Sequence, residues 1–333
     1  MADALGSEVV PADIEIRGLT KSYGTHRVLD GIDLHVQAGG VTALLGPNGS
    51  GKTTTVSIAS TLFPADSGSV TIGGFDTVMQ TRAVRSMIGV TGQSVAIDEL
   101  FSGRENLALM AGLRHLERRH GRARADELLE QFDLTDAADR LVSTYSGGMR
   151  RRLDLAMTLI STPRVIFLDE PTTGLDPRSR RVLWDMISRL AAEGVTVLLT
   201  TQYLEEADQL ADRIAVLDRG TIVAEGTAAE LKKRVHDSEV RLTFADTESF
   251  DAARDLLPNA RPVTEFRRLD LATDDTATTM RTVLNRLDAA GVAVTDVGVH
   301  TPTLDDVFFA LTGDAARSAP ADRTDPTEGE DTR

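Results

Sequence analysis

At 333 residues the chain is sized for about two domains and is long enough to bury a sizeable core, which excludes a single small module. A formal charge of −15 and 4% aromatic residues suit neither gripping phosphate backbones nor stacking bases, so no nucleic acid partner is expected. The chain has 0 Cys, which removes disulfides, thiolate catalysis and Cys-ligated metal centres. With no basic-then-apolar start and no apolar run approaching about 18 residues, it reads as soluble and cytoplasmic.

Residues 14–45 read as short alternating segments, IEIRGL and VLDGIDLHV, ending in VTALL, a β-branched apolar run stopped by glycine. A helix is expected from Lys52. Further strands are predicted at VTI near 70, IGV at 88–90, VIFL at 165–168, VTVLLT at 195–200 and IAVL at 214–217. Alternation of these with helical patterns predicts a mixed α/β layer structure around a largely parallel sheet. Between 101 and 160 strand signals vanish and ENLALMAGL, ADELLEQF and RRLDLAMTLI predict a helical insertion. After Lys232 the pattern changes to EVRLTF, ESFDAARDLL, RLDLA, ATTMRTVLNRLDAAG, VAVTDVGV and LDDVFFALTG, the units of a small α+β accessory domain. In the last helix Leu304, Val307, Phe308 and Leu311 form an apolar stripe, read as docking that helix on its own domain, with Thr303 and Asp306 spaced as a capping box.

Gly46-Pro47-Asn48-Gly49-Ser50-Gly51-Lys52-Thr53 satisfies G-x-x-x-x-G-K-[ST] between a strand and a helix, the context that motif requires. Glycines let successive N–H groups turn to one point, and the helix N-terminus adds its dipole, so a polyphosphate is held. Lys52 neutralises the β and γ phosphates and the Thr53 hydroxyl ligates Mg²⁺, with Thr54 grouped among the nucleotide contacts. A P-loop alone is compatible with a kinase, a GTPase or a motor. The strand Val165-Ile166-Phe167-Leu168 ends in Asp169 and Glu170, which behind a P-loop fit a Mg²⁺ ligand and a base for the attacking water. Tyr145-Ser146-Gly147-Gly148-Met149-Arg150 opens a helix with Ser146 as N-cap and bare glycine N–H groups, a second anion site.

With the P-loop upstream and LDEPTTGLD downstream, this segment resembles the signature of ABC-type ATPases, Tyr145 and Met149 standing where Leu and Gln are usual. The resemblance covers about 14–235 and implies further roles. Tyr23, in TKSYG, matches the aromatic that stacks on adenine. Gln93 matches the glutamine that touches Mg²⁺ and the attacking water, and Gly174-Leu175-Asp176 the loop that meets the opposite subunit. Cassettes of this kind meet head to tail, so Ser146, Gly147, Gly148 and Met149 of one copy close on the nucleotide held by Lys52 of a second copy.

One position departs: Gln202 stands where most cassettes carry a histidine against the γ-phosphate. Glutamine can donate a hydrogen bond but cannot become cationic. With the ending TPTLDDVFFALTG, it makes the chain resemble the daunorubicin and doxorubicin resistance ATP-binding proteins, homodimers beneath a separate membrane permease. The expected organisation is a 1–13 extension, a 14–235 ATPase domain, a 236–313 accessory domain and a disordered 314–333 tail. The expected function is ATP hydrolysis powering export of a hydrophobic drug or lipid from the cytoplasmic face of the membrane. A non-transport ABC ATPase and a nucleotide-sensing module with weak hydrolysis are the alternatives. The basic run from Arg114 to Arg124 reads equally as a lipid- or permease-facing patch and as a solvated helix face. Arg150 to Arg152 and Arg178 to Arg181 are assigned to their helices and the dimer seam; His26, His35, His236 and His300 read as structural.

Overall fold

The computed structural model describes residues 11–92, 97–234 and 238–317, which divide into two compact units between Leu231 and Lys232. In chain order the elements are β1 (Ile14–Tyr23), β2 (His26–Val36), β3 (Val41–Leu45), α1 (Lys52–Ala59), β4 (Ser67–Ile72), β5 (Phe75–Asp76), α2 (Thr81–Met87) and β6 (Ile88–Thr91). They continue with α3 (Gly103–Leu113), α4 (Arg118–Gln131), α5 (Gly147–Thr158), β7 (Val165–Asp169), α6 (Pro177–Ala192), β8 (Thr196–Thr201), α7 (Leu204–Leu210), β9 (Arg213–Asp218) and β10 (Thr221–Gly226). A short helix, α8 (Ala228–Lys233), crosses the boundary.

The first unit joins two sheets. In the order β10-β9-β3-β8-β7-β6, all pairs are parallel except the β10 edge. Every residue of β3, β7 and β8 is buried, because helices cover both faces of a parallel sheet and the strands become unbroken apolar runs. The second sheet, β2-β1-β4-β5, is antiparallel and alternates: Ile32, Leu34 and Val36 face inward while Asp33 and His35 face solvent. Ile14, Ile16 and Leu34 share one core with Val56, Ile58, Phe167 and Leu198, so α1 is clamped between the sheets. The C-terminal ends of β3, β7 and β8 therefore lie side by side, with Leu45 opposite Thr201 and Asp169 opposite Thr200.

The second unit holds β11 (Ser238–Thr243), α9 (Thr247–Leu256), β12 (Arg261–Val263), β13 (Arg268–Thr273), α10 (Thr276–Ala289), β14 (Asp296–His300) and α11 (Leu304–Arg317). Its antiparallel sheet runs β12-β13-β11-β14, with Val240, Leu242, Phe244 and Leu269 packed on Phe250 of α9 and Leu287 of α10. β12 escapes sequence reading because Pro262 argues against a strand; it pairs on one side only, at the edge where proline is tolerated. β14 begins at Asp296, later than the VAVTDVGV run suggests, because the Val292 N–H closes the end of α10 on Leu287 O at 3.0 Å. The expected capping box forms, Thr303 N donating to Asp306 Oδ2 at 2.8 Å and Asp306 N to Thr303 Oγ1 at 3.3 Å. α11 runs through Gly313 to Arg317, past the expected start of the tail, one interior glycine costing a helix only about 1 kcal/mol. Residues 318–333 lie outside the described residues.

Candidate functional site

The P-loop forms the turn from β3 into α1, and its shape is set by what cannot fit there. A side chain at Gly46 would place its Cβ 2.2 Å from Leu217 O, and one at Gly51, where φ is +110°, 2.5 Å from Leu29 Cδ2. Gly46 N donates to Thr201 O at 3.2 Å, tying the loop to β8. Lys52 opens α1 with only 4% of its surface exposed, and its Nζ donates to Gly46 O at 2.8 Å and Pro47 O at 3.0 Å. Burial lowers the Lys52 pKa, opposed by the charges of Glu170 and Asp169. Ser50 Oγ is buried without a hydrogen-bond partner. A buried cation whose direct hydrogen bonds go to carbonyls, with its carboxylate neighbour at 3.6 Å and an orphaned hydroxyl nearby, fits an anion such as a polyphosphate.

Across the sheet, Asp169 ends β7 and is buried. Its Oδ1 accepts from Thr200 Oγ1 at 2.5 Å and Thr53 Oγ1 at 3.1 Å. An oxygen set of hydroxyl and carboxylate next to a phosphate cradle fits a hard cation of the Mg²⁺ type. Glu170 follows with φ +48°, a left-handed conformation costly for a residue with a Cβ. Its N–H donates to both Thr200 O and Thr200 Oγ1 at 3.1 Å. Its Oε1 lies 3.6 Å from Lys52 Nζ, and its Oε2 accepts from Thr173 Oγ1 at 3.3 Å.

Glu170 lines two cavities. One, of about 470 Å³, is walled by Asn48, Gly49, Gly51, Lys52, Thr53 and Thr54 together with His26 and Val28 of β2. The other, of about 360 Å³, is walled by Gly147, Arg150, Arg151, Thr173, Gly174 and Leu175. His26, read from sequence as structural, thus flanks the P-loop, carried there by β2, whose Val28 O and Leu29 Cδ2 crowd Gly51. Tyr23 itself is 51% exposed and lies 5.7 Å from Lys21 Nζ, outside the lining of that cavity. Gln202 is half-buried one residue past the end of β8, between the P-loop and the Asp169-Glu170 strand end. Gln93 and His236 lie outside the described residues.

At the segment expected to bind a second anion, Ser146 caps α5, its Oγ accepting from Met149 N at 3.3 Å, and Ser146 and Gly147 are exposed. Gly148 is buried where a Cβ would meet Ser179 Oγ at 2.6 Å. The unusual Tyr145 is buried and donates its hydroxyl to Ala137 O at 2.6 Å, so the apolar ring substitutes for a leucine while the polar tip is satisfied. The Asp176 carboxylate caps α6, accepting from Ser179 Oγ at 2.6 Å and from Ser179 N and Arg178 N at 3.0 Å, bonds that lower its pKa, the hydroxyl most. The three arginines assigned together from sequence part company. Arg150 reaches Glu99 Oε1 at 2.8 Å, Arg152 reaches Phe132 O at 2.9 Å, and Arg151 turns inward to β7. Among the described residues no helix is long and apolar enough to cross a membrane, and no cluster of three metal-ligating side chains occurs.

A phosphate cradle facing an Asp-Glu strand end defines a P-loop nucleotide-binding protein, and the glycine-capped helix beside it narrows the class. Residues 29–173 match the ABC transporter family model, and residues 226–312 match the C-terminal domain of DrrA1-3-like ATP-binding proteins. The chain is 50% identical over 306 residues to the daunorubicin resistance ATP-binding protein DrrA3 of Streptomyces coeruleorubidus, covering 91% of this chain and 97% of the relative. It is 47% identical over 308 residues to the daunorubicin/doxorubicin resistance protein DrrA of Streptomyces peucetius, covering 91% and 93%. Among solved structures, a dimeric ATP-binding cassette, MJ0796, bound to ADP and Pi matches with TM-score 0.59 and 25% identity over 64% of this chain and 98% of that one. The chain belongs to the DrrA-type ATP-binding subunits of ABC transporters. The first unit is accordingly an ATPase fold whose hydrolysis is coupled to export.

Proposed function

We propose that this subunit works as a head-to-tail homodimer on the cytoplasmic face of the membrane, hydrolysing Mg²⁺-ATP to drive a hydrophobic drug or lipid out through a separate permease. The observation that carries this reading is the placement of Glu170. Its carboxylate lies 3.6 Å from the P-loop lysine and on the wall shared by the P-loop cavity and the cavity at Gly147. Lys52 holds the terminal phosphates, Thr53 and Asp169 hold Mg²⁺ together with Gln93, and Glu170 takes the proton of the attacking water. Mg²⁺, when bound, neutralises charge on the β and γ oxygens. Tyr23 stacks on adenine. Ser146 to Met149 and Asp176 face the second copy, which the exposure of Ser146 and Gly147 supports. Gln202 keeps a γ-phosphate hydrogen bond in a form that cannot become cationic.

At the far end of α1 from the cradle, about 12 Å along an eight-residue helix, Leu62 and Phe63 are exposed, and Val78 and Met79 stand out beside a cavity that Leu62, Phe63 and Val78 line. This apolar surface suits the permease. Nothing in the site selects the cargo.

The test is steady-state phosphate release from purified protein, paired with light scattering. Glu170→Gln should lower turnover by about 10²–10⁴-fold and accumulate an ATP-dependent dimer. Wild-type turnover in this variant removes Glu170 as the base, and a monomer under ATP removes the sandwich. In the same assay Gln202→His should raise the rate and add a pH step in the imidazole range; an unchanged profile removes Gln202 from the site. Negligible phosphate release by the unaltered chain would favour a nucleotide sensor, the reading that the Gln202 substitution keeps in play.

A further inference from the structure

Arg151 is 8% exposed and distributes its guanidinium over several segments. Its Nε donates to Pro171 O at 2.7 Å, Nη1 to Gly92 O at 2.9 Å and to Asp154 Oδ2 at 3.2 Å, and Nη2 to Asp169 O at 3.2 Å and Glu170 O at 3.3 Å. Three consecutive carbonyls, 169 to 171, are thus held by one side chain from α5. A lysine, with three donors on one atom, cannot span such a set; the planar fork can. Burying a cation on carbonyls with a single carboxylate partner is costly, and a packed apolar side chain would fill the space more cheaply. Burial lowers the pKa of the guanidinium, with the charges of Asp154, Asp169 and Glu206 opposing.

The clamp sits where the backbone is strained. Glu170 adopts φ +48°, and such conformations persist only where the surroundings over-determine them. Thr200 holds the peptide from the N–H side, through its carbonyl and hydroxyl at 3.1 Å, and Arg151 holds it from the carbonyl side. Without the second grip the turn relaxes and the Glu170 carboxylate swings away from the wall between the two cavities. The Gly92 carbonyl, one residue before Gln93, is fastened to the same guanidinium.

We propose that Arg151 is a positioning residue for hydrolysis, holding the Glu170 turn in its strained, productive shape and tying it to the signature helix α5 and to the strand end before Gln93. This rests on the reading of Glu170 as the base. The test uses the full chain with Arg151→Lys and Arg151→Met, each alone and combined with Glu170→Gln. Mg²⁺-ATP affinity is measured by calorimetry and turnover by phosphate release. Expected is an ATP Kd within about threefold of wild type and a kcat lower by about 10²-fold, the loss that misplacing a reacting group by about 1 Å brings. Lysine should recover only part of it. Combined with Glu170→Gln, neither substitution should lower kcat further, because both act through one group.

Unchanged kcat in both arginine variants, with Glu170→Gln impaired, overturns the proposal alone. Wild-type turnover in Glu170→Gln overturns it together with the base assignment. Multiplicative losses in the double variants, or an ATP Kd that weakens in step with kcat, show that Arg151 acts elsewhere. If both variants lose their cooperative melting transition, Arg151 is a structural staple and the proposal falls.

Discussion

The two units treat buried charge in opposite ways. In the second unit Asp270, on β13, is 2% exposed and surrounded by cations: Arg261 Nη2 at 3.0 Å, Arg268 Nε at 2.7 Å and Arg241 Nε at 4.0 Å. Glu239 on β11 shares Arg241 and Arg261 at 3.2 Å. Arg241, Arg261 and Arg268 each find a carboxylate within the unit, and the pKa of Arg268 is raised by its bond to Asp270. In the first unit Lys52 is as deeply buried, yet its carboxylate neighbour stands at 3.6 Å and its direct hydrogen bonds go to loop carbonyls, beside an unpartnered Ser50 Oγ. A closed network holds a sheet together; an open one waits for a ligand.

Substitutions that separate stability from chemistry sharpen this contrast. The largest effect is expected from Lys52→Met, with turnover lower by about 10²–10³-fold from loss of a charged phosphate clamp. Its folding stability should move by no more than about 1–2 kcal/mol, because the desolvation cost and the Glu170 attraction leave together and Glu170 opens onto two cavities roomy enough to hydrate it. Asp270→Asn should do the reverse. Losing the shared anion costs about 2–3 kcal/mol, less than for a wholly buried pair because Arg261 is 66% exposed, and amide exchange in β11 and β13 accelerates while phosphate release persists. Loss of hydrolysis in a folded Asp270→Asn protein would break the contrast.

The smallest effect concerns Glu206 on α7, a fully buried acid of the first unit that is spent on structure. It accepts from Trp184 Nε1 at 3.1 Å, and burial raises its pKa against the opposing hydroxyls of Thr201 and Thr172, the Trp184 indole and the charge of Arg180. A carboxyl that binds its proton more tightly in the fold than in the unfolded chain favours the fold below its ordinary pKa, and that advantage is lost as pH rises through the folded value. Wild-type melting temperature should therefore fall across that window, and Glu206→Gln should flatten the fall. A slope of equal size in the variant would assign it to other groups.

The chain of reasoning from residue pattern to element works best where burial is two-sided. VTALL, VIFLD and VTVLLTT stand out because both faces of a parallel strand are apolar, and the motifs that follow them sit at the strand ends the topology brings together. The edge strands β5, β10 and β12 are hidden because one side is solvated and the apolar run is broken. Within the site, Lys52, Thr53, Asp169 and Glu170 carry a spacing that any reader of P-loops can follow. Arg151 carries none: it is one of three adjacent arginines, and only the rotation of α5 decides which faces β7. His26 is likewise placed by the approach of β2 to the P-loop, where Val28 and Leu29 crowd Gly51, a long-range contact with no local mark.

The left-handed backbone at Glu170 sets stability and chemistry against each other at a single residue. Glycine there would relieve about 1–2 kcal/mol of strain and keep the N–H bonds to Thr200, while deleting the carboxylate. With Glu170 as the proposed base, that exchange is expected to give a more stable protein that binds ATP and hydrolyses it very slowly. On the proposed reading of Glu170 as the base, the strain at this turn is therefore the cost of placing a carboxylate where glycine would fold more easily.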